Sequence, residues 1–254
     1  MVRTQDFHSC NWSSILHSRT TITLIVIIMK VLSFNVRVWT RDLNSKKKER
    51  YWKNRMDAIR SFIRFKNPDI ICFQELSYPA TNYVPHSYER VGCTVSHPIY
   101  IRKDRFEVKK HIFRIHFDYV SLIDKTTNKE YDVFNVHSHW NKKTLEENLS
   151  NIGEMADVNK NTIICGDWNN DFDTLNQYAL FEDFPLINHG KITFEHFDKY
   201  QVNSVDFFAT NITENDEQYL FCDVPNRVKR GRYFPVTMSD HYPVVLDIRK
   251  KVYE

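Results

Sequence analysis

The sequence predicts an α/β fold in which two packed β-sheets are covered by helices, and three observations predict it. One pattern occurs twice: an amphipathic helix, a short polar turn, then a buried, β-branched strand that ends in an acid. Strand-like segments outnumber helical ones, and both long helices lead into buried strands, which calls for sheets packed face to face beneath helices. Acids and amides follow several strands directly, where loops gather and sites form.

The elements follow in chain order. Ile22 to Met29 is an apolar run, too short to span a bilayer, that runs directly into the strand-like Lys30-Val31-Leu32-Ser33-Phe34. It reads either as the apolar region of a secretory signal or as part of an upstream extension preceding a start at Met29. The extension is the preferred reading, because Asp6, His8 and His17 lie upstream and no A-x-A cleavage site follows. Residues 1–28 are therefore expected to be an N-terminal extension and residues 29–254 one domain, cytoplasmic, or secreted should the segment act as a signal peptide.

Trp52, Met56, Ile59 and Ile63 recur at helical spacing, and Asn67-Pro68 closes that helix ahead of the strand Asp69 to Phe73 and then Glu75. Strands are expected at 99–102, 106–115, 117–124 and 131–136, with a polar hairpin turn at Lys125 to Lys129. In the second copy of the pattern, Leu145, Leu149, Ile152 and Ala156 mark the helix, and Asn161 to Cys165 leads into Gly166-Asp167. A short helix near 174–181 and strands near 204–210, 217–223 and 242–249 complete the chain. No stretch rich in Pro, Gly and Ser divides it.

Composition narrows the function. With 42% hydrophobic and 14% aromatic residues, the 254-residue chain buries enough apolar surface to offset its ordering entropy, which excludes a disordered protein. It has 5 glycines, where about 7% of residues is usual, and no GxGxxG or GxxxxGK[ST]. Any phosphate chemistry must then rest on side chains and metals. The net charge of +3 identifies no partner by itself, although Lys46-Lys47-Lys48, Lys109-Lys110 and Arg227/Lys229/Arg230/Arg232 are local basic runs, the kind of surface that is ordinarily just solvated. Cys10, Cys72, Cys93, Cys165 and Cys222 form no CxxC, so neither a zinc site nor a disulfide scaffold is indicated.

Six segments place polar side chains just beyond apolar strands: Ser33-Phe34-Asn35-Val36-Arg37, Gln74-Glu75, Asn135-Val136-His137-Ser138-His139, Gly166-Asp167-Trp168-Asn169-Asn170, Ser204-Val205-Asp206-Phe207 and Ser239-Asp240-His241-Tyr242-Pro243. Taken singly, each is ordinary turn or cap chemistry. Together they gather carboxylates, amides and imidazoles, a hard donor set suited to Mg²⁺, Mn²⁺ or Ca²⁺ rather than zinc.

In the order FNVR, PDIICFQE, NVHSH, GDWNND, SVDFF and SDHYPV, these segments resemble the endonuclease/exonuclease/phosphatase superfamily, which includes deoxyribonuclease I, and the opening FNVRVW with Trp52 and Arg55 is most similar to its bacterial metal-dependent hydrolase branch. The resemblance covers residues 30–249. It implies a deoxyribonuclease I-like four-layer α/β/β/α sandwich, two mixed sheets covered by helices, with the site at one edge of the sheets. It also implies roles. Glu75 would be the principal metal ligand, with Asn35 and Asp240 completing the shell. Asp167 and Asn169 would position or deprotonate the attacking water and bind a phosphate oxygen. His241 would contact the phosphate, kept cationic by Asp206, and His137 would assist the leaving group.

Two departures stand out. Where the branch has an aspartate-histidine pair after the NVH motif, this chain has His139 and Trp140, and the segment between Phe113 and Tyr119 is short, which trims one rim of the site. Trp140 and Trp168 flank the motifs as either core side chains or stacking surfaces for a base or sugar. The expected activity is a Mg²⁺-dependent phosphodiesterase acting on nucleic acid as an endonuclease and as a monomer, with Arg227, Lys229, Arg230 and Arg232 touching substrate. The alternatives are a hydrolase of a small phosphate ester, phosphoinositide or sphingolipid, and an inactive binding module.

Overall fold

The computed structural model describes residues 23–43, 51–92, 96–187, 191–195, 202–212, 218–223 and 238–253. Lys46, Lys47, Lys48, Cys10, Cys93, His189, His196 and the Arg227, Lys229, Arg230 and Arg232 cluster lie outside these residues.

The two copies of the sequence pattern become two parallel strand pairs. β1 (Thr23–Asn35) pairs with β2 (Ile70–Gln74) through the helix α1 (Trp52–Lys66). β3 (Tyr88–Val91) and β4 (Ile99–Arg102) follow, then the meander β5 (Phe106–Phe113), β6 (Phe117–Asp124) and β7 (Lys129–His137). β7 pairs in parallel with β8 (Asn161–Asp167) through α2 (Lys142–Met155). The remaining elements are α3 (Phe172–Leu175), α4 (Leu180–Asp183), β9 (Leu186–Ile187), a small hairpin of β10 (Phe194–Glu195) and β11 (Val202–Asn203), β12 (Asp206–Thr210), β13 (Gln218–Asp223) and β14 (Val244–Tyr253). One six-stranded sheet has the order β13-β14-β1-β2-β4-β3 and the other β5-β6-β7-β8-β12-β9. Both are mixed, as expected.

Side chains alternate between the faces of a strand, and here both faces are buried. Val31, Ile70, Cys72, Val133, Ile163, Cys165, Phe208 and Leu246 meet between the sheets. The intervening Leu32, Phe34, Ile71 and Phe73 pack under α1, against Met56, Ile59, Phe62 and Ile63. Phe134, Val136 and Ile164 pack under α2, against Leu145, Leu149 and Ile152. This is the four-layer α/β/β/α sandwich, and each such buried side chain contributes about 1.5–3 kcal/mol. At Gly166 (φ +150°), where β8 presses on β7, an added Cβ would lie 1.9 Å from the Val136 carbonyl oxygen. One of the few glycines therefore stands where the backbone leaves no room.

Element ends agree with local chemistry. Asn67 caps α1 in the left-handed conformation (φ 46°) and donates its N–H to the Ile63 carbonyl at 2.7 Å. The Asn141 side chain accepts from the N–H groups of Lys143 and Thr144 at the start of α2. Three expectations need correction. The helix near 174–181 is two short helices, α3 and α4, because the buried anchors Leu175 and Phe181 are six residues apart and would lie about 120° from each other around one continuous helix. β14 extends beyond 249 to Tyr253, paired with a β1 that starts at Thr23. β3, β9 and the β10–β11 hairpin were not anticipated, being two to four residues long and without alternation. Val26 and Ile27 of β1 are exposed and burial begins in earnest at Met29, beside a register shift between Ile27 and Met29. Among the described residues, no helix is long and apolar enough to cross a membrane.

Candidate active site

The strand alternation that builds the inter-sheet core also delivers polar groups to its edge. Asn35 continues the inward series Val31, Ser33; Gln74 continues Ile70, Cys72; Asp167 continues Ile163, Cys165; and Asp206 precedes Phe208 on the same face. The parallel strands β1, β2, β7 and β8 end at this edge, while the antiparallel β12 and β14 begin there. Residues far apart in sequence therefore converge by register alone. Arg37 (φ 55°), Glu75 (φ 60°) and Asn169 (φ 51°) sit here in the left-handed region, where side-chain-bearing residues are strained, and such strain clusters at functional sites.

Asn35 is the hub. Its amide Nδ2 donates to Asp167 Oδ2 at 2.9 Å and to Glu75 Oε1 at 3.2 Å, and its Oδ1 accepts from the Arg37 N–H at 2.9 Å. The other Glu75 oxygen accepts from the Val38 N–H at 2.8 Å. Across the edge, His241 Nδ1 lies 2.9 Å from Asp206 Oδ2, and its Nε2 is 3.7 Å from Asp167 Oδ2. His137 Nε2 approaches the same Asp167 oxygen at 3.8 Å. Asn169 donates its N–H to Asp167 Oδ1 at 2.9 Å and its Nδ2 to the Ser138 carbonyl at 3.0 Å. Beneath them, Gln74 donates to Asn135 Oδ1 at 2.6 Å, and Asn135 donates to the carbonyls of Phe73 and His97 at 2.8 Å each, tying the two sheets together under the site.

Burial pulls the His241 imidazole down, but Asp206, Asp167 and Asp240 outweigh it and push the group up to about 10. Burial raises Asp206, to about 6, against the pull of His241 and of a Thr193 hydrogen bond. At neutral pH the pair is an imidazolium facing a carboxylate. Burial would raise Glu75 as well, yet the Val38 N–H, Arg41 and His137 together hold it below the ordinary carboxylate range. Glu75 is thus an anion over most of the pH scale.

The structure brings together Asn35, Glu75, His137, Asp167, Asn169, Asp206 and His241. It treats Asp240 differently. Its Oδ2 is bonded to Arg37 Nη1 at 2.5 Å and its Oδ1 accepts from Ser239 Oγ at 3.2 Å. Sequence reasoning assigned no role to Arg37, Asp42, Arg55 or Thr193. Arg37 also reaches Asp42 at 3.3 Å, and Asp42 is held at 2.8 Å by the fully buried Arg55. Thr193 Oγ1 accepts from the N–H groups of Val205 and Asp206. Arg37 was visible as the last residue of FNVR; Thr193 had no signal in sequence. Of the two tryptophans, Trp168 is core, edge-on to Phe181 at 5.4 Å, while Trp140 is 73% exposed.

Among the described residues at this edge, two groups of side chains have metal-ligand character. Donor atoms of Asp167, Asp206 and His241 all lie within 4.8 Å of one another, but Nδ1 of His241 is spent on Asp206 and a cation there would face an imidazolium. Glu75 and Asn35 fit a hard divalent ion better: the Glu75 carboxylate accepts two hydrogen bonds out of roughly four lone-pair sites.

No curated protein matches the sequence. A sequence model of the Endonuclease/Exonuclease/phosphatase family matches residues 32–200, more than half of the chain. The chain belongs to this family. Phosphoester hydrolysis is the chemistry of its members, and solved structures share the deoxyribonuclease I-like fold. An endonuclease/exonuclease/phosphatase from Bacteroides vulgatus superposes with a TM-score of 0.67 at 17% identity, over 87% of this chain and 98% of its own. A mannosyl-6-phosphatase from Bacteroides thetaiotaomicron gives 0.65 at 19% identity, over 87% and 99%. The D. rerio TDP2, solved with a single-strand DNA product, gives 0.61 at 16% identity, over 87% and 98%.

Proposed function

We propose that the protein is a metal-dependent phosphodiesterase that hydrolyses nucleic-acid strands. The observation that carries the hydrolytic reading is the imidazolium of His241, locked on Asp206 and aimed by its Nε2 at the Asp167 carboxylate, at an edge that Asn35, Glu75, His137 and Asn169 share. A phosphodiester resists attack because it is an anion, so a site must neutralise charge that builds on its oxygens. His241 Nε2–H donates to a phosphoryl oxygen and remains charged throughout. Asp167, fixed by Asn35 and the Asn169 N–H, accepts a proton from the attacking water. His137, the more exposed imidazole, protonates the departing oxygen. Glu75, Asn35 and, once released from Arg37, Asp240 would hold a divalent cation, Mg²⁺ or Mn²⁺, which supplies further charge neutralisation at the phosphate when bound.

A polymer substrate is supported by the rim. The connection between β5 and β6 is only residues 114–116, closed by the Arg114 N–H on the Phe117 carbonyl, so this connection adds no long loop to that side. The D. rerio relative bound to a single-strand DNA product adds precedent within the fold. A small phosphate ester is the second reading, favoured by a cleft of about 680 Å³ beside Asn169, lined by Asn170, Asp173, Thr174, Asn203 and Ser204, with no cation among its described lining residues, which suits hydroxyl groups of a sugar better than a polyanionic backbone.

Incubation of the full chain with supercoiled plasmid, single-stranded oligonucleotides and a panel of sugar phosphates, with Mg²⁺ or with EDTA, separates the two. Metal-dependent strand cleavage supports the first reading. Release of inorganic phosphate from a sugar phosphate, with every strand left intact, replaces it with the second.

A further inference from the structure

We propose that the indole of Trp140 is a stacking subsite for an unpaired nucleobase next to the scissile phosphate, a reading that rests on the nucleic-acid function above. Trp140 lies three residues beyond His137 in the segment that departs from the motif of the family's bacterial branch, and it is 73% exposed. An aromatic face open to solvent beside an active site offers a nucleobase a stacking platform. The His139 ring lies 5.0 Å away, tilted by 31° to the indole, and His116 meets His139 edge-on at 6.5 Å. His139 Nδ1 accepts from the Asn141 N–H at 3.0 Å, which joins the ring to the cap of α2. The Asn169 and Asn170 side chains donate to the carbonyls of Ser138 and His139, at 3.0 and 3.4 Å. The loop that carries Trp140 is therefore tied to the loop that carries Asn169.

The surroundings choose the occupant. The core of a protein-docking patch is depleted of charged residues, whereas this indole has His116, His139 and Asn141 around it and Lys142 and Lys143 just beyond, 81% and 86% exposed. Among the described residues, those lysines have loose partners, Glu146 and Glu147 at 3.7 and 3.9 Å. One flat ring among imidazoles and ammonium groups fits a base with its phosphates on either side. Every base has a π-face, so the subsite would bind strands without reading their sequence, and it would require the flanking base to be unpaired.

The test compares cleavage of a single-stranded oligonucleotide with that of the same strand carrying a tetrahydrofuran abasic residue at the flanking position, for wild type, Trp140→Ala and Trp140→Phe. Stacking of one base is worth about 1–3 kcal/mol, so wild type should prefer the intact strand by on the order of tenfold in kcat/KM. Trp140→Ala should abolish the preference and Trp140→Phe should retain most of it. Equal ratios in wild type and Trp140→Ala, with both strands cut, overturn the subsite and leave the nuclease reading standing. Failure of wild type to cut any strand overturns both.

Discussion

His241 and Asp206 form a buried ion pair, Nδ1 to Oδ2 at 2.9 Å, that leaves Nε2 directed at Asp167. The imidazolium is the acidic partner whose charge survives to about pH 10, and the carboxylate is the partner that keeps it there.

Replacing Asp206 with Asn removes that counter-charge at nearly constant volume. Burial then dominates His241 and its pKa falls, so the alkaline limb of the pH–rate profile should move to lower pH. Stability follows the same sign. His241 has a folded pKa raised from 6.5, so its contribution is full below 6.5 and is lost as pH rises towards about 10. The thermal midpoint of the wild type should therefore decline across that window and that of Asp206→Asn should decline less. Superimposable pH–rate profiles for the two proteins would show that the pair plays no part in turnover.

Glu75→Gln should leave the fold intact, because the amide occupies the same volume and its oxygen can still accept from Val38. It should weaken divalent-cation binding, and activity should fall by about 10²-fold or more through the lost charge stabilisation. Calorimetric titration with Mn²⁺ gives the affinity, and circular dichroism checks the fold. An unchanged affinity would remove Glu75 from the cation site.

Arg55 is a structural cation. Fully buried, it donates to the carbonyls of Val36 and Met238 at 2.8 Å each and to Asp42 at 2.8 Å, joining α1 to the strand end that carries Asn35 and to the segment before Ser239. Arg55→Ala takes a donor from three carbonyls, those of Val36, Arg37 and Met238, and one partner from Asp42, and should cost about 3 kcal/mol, the low end for breaking a buried pair, since Arg37 still reaches Asp42. At this chain length that is a fall of roughly 6–12 °C in Tm. A change within about 1 °C would mean that the network contributes little to stability.

Much of the fold was legible because its signals are local. Alternation along Val31 to Asn35 and Ile163 to Asp167 determined which side chains enter the inter-sheet layer, and helical spacing at Trp52 to Ile63 determined the covering face. The order of the six motifs determined the family, and the same alternation put Asn35, Asp167 and Asp206 at one edge. Tertiary structure decided the pairings. Arg37 and Asp240 are 203 residues apart, and they meet where the Arg37 backbone turns through φ 55°. Trp140 and Trp168 each follow a strand end, yet one is exposed and the other lies under Phe181, because only the second faces a helix layer. Periodicity reports which face a residue occupies, and it carries no information about what the rest of the chain brings to that face. Contacts between distant segments are set only when the sheets pack.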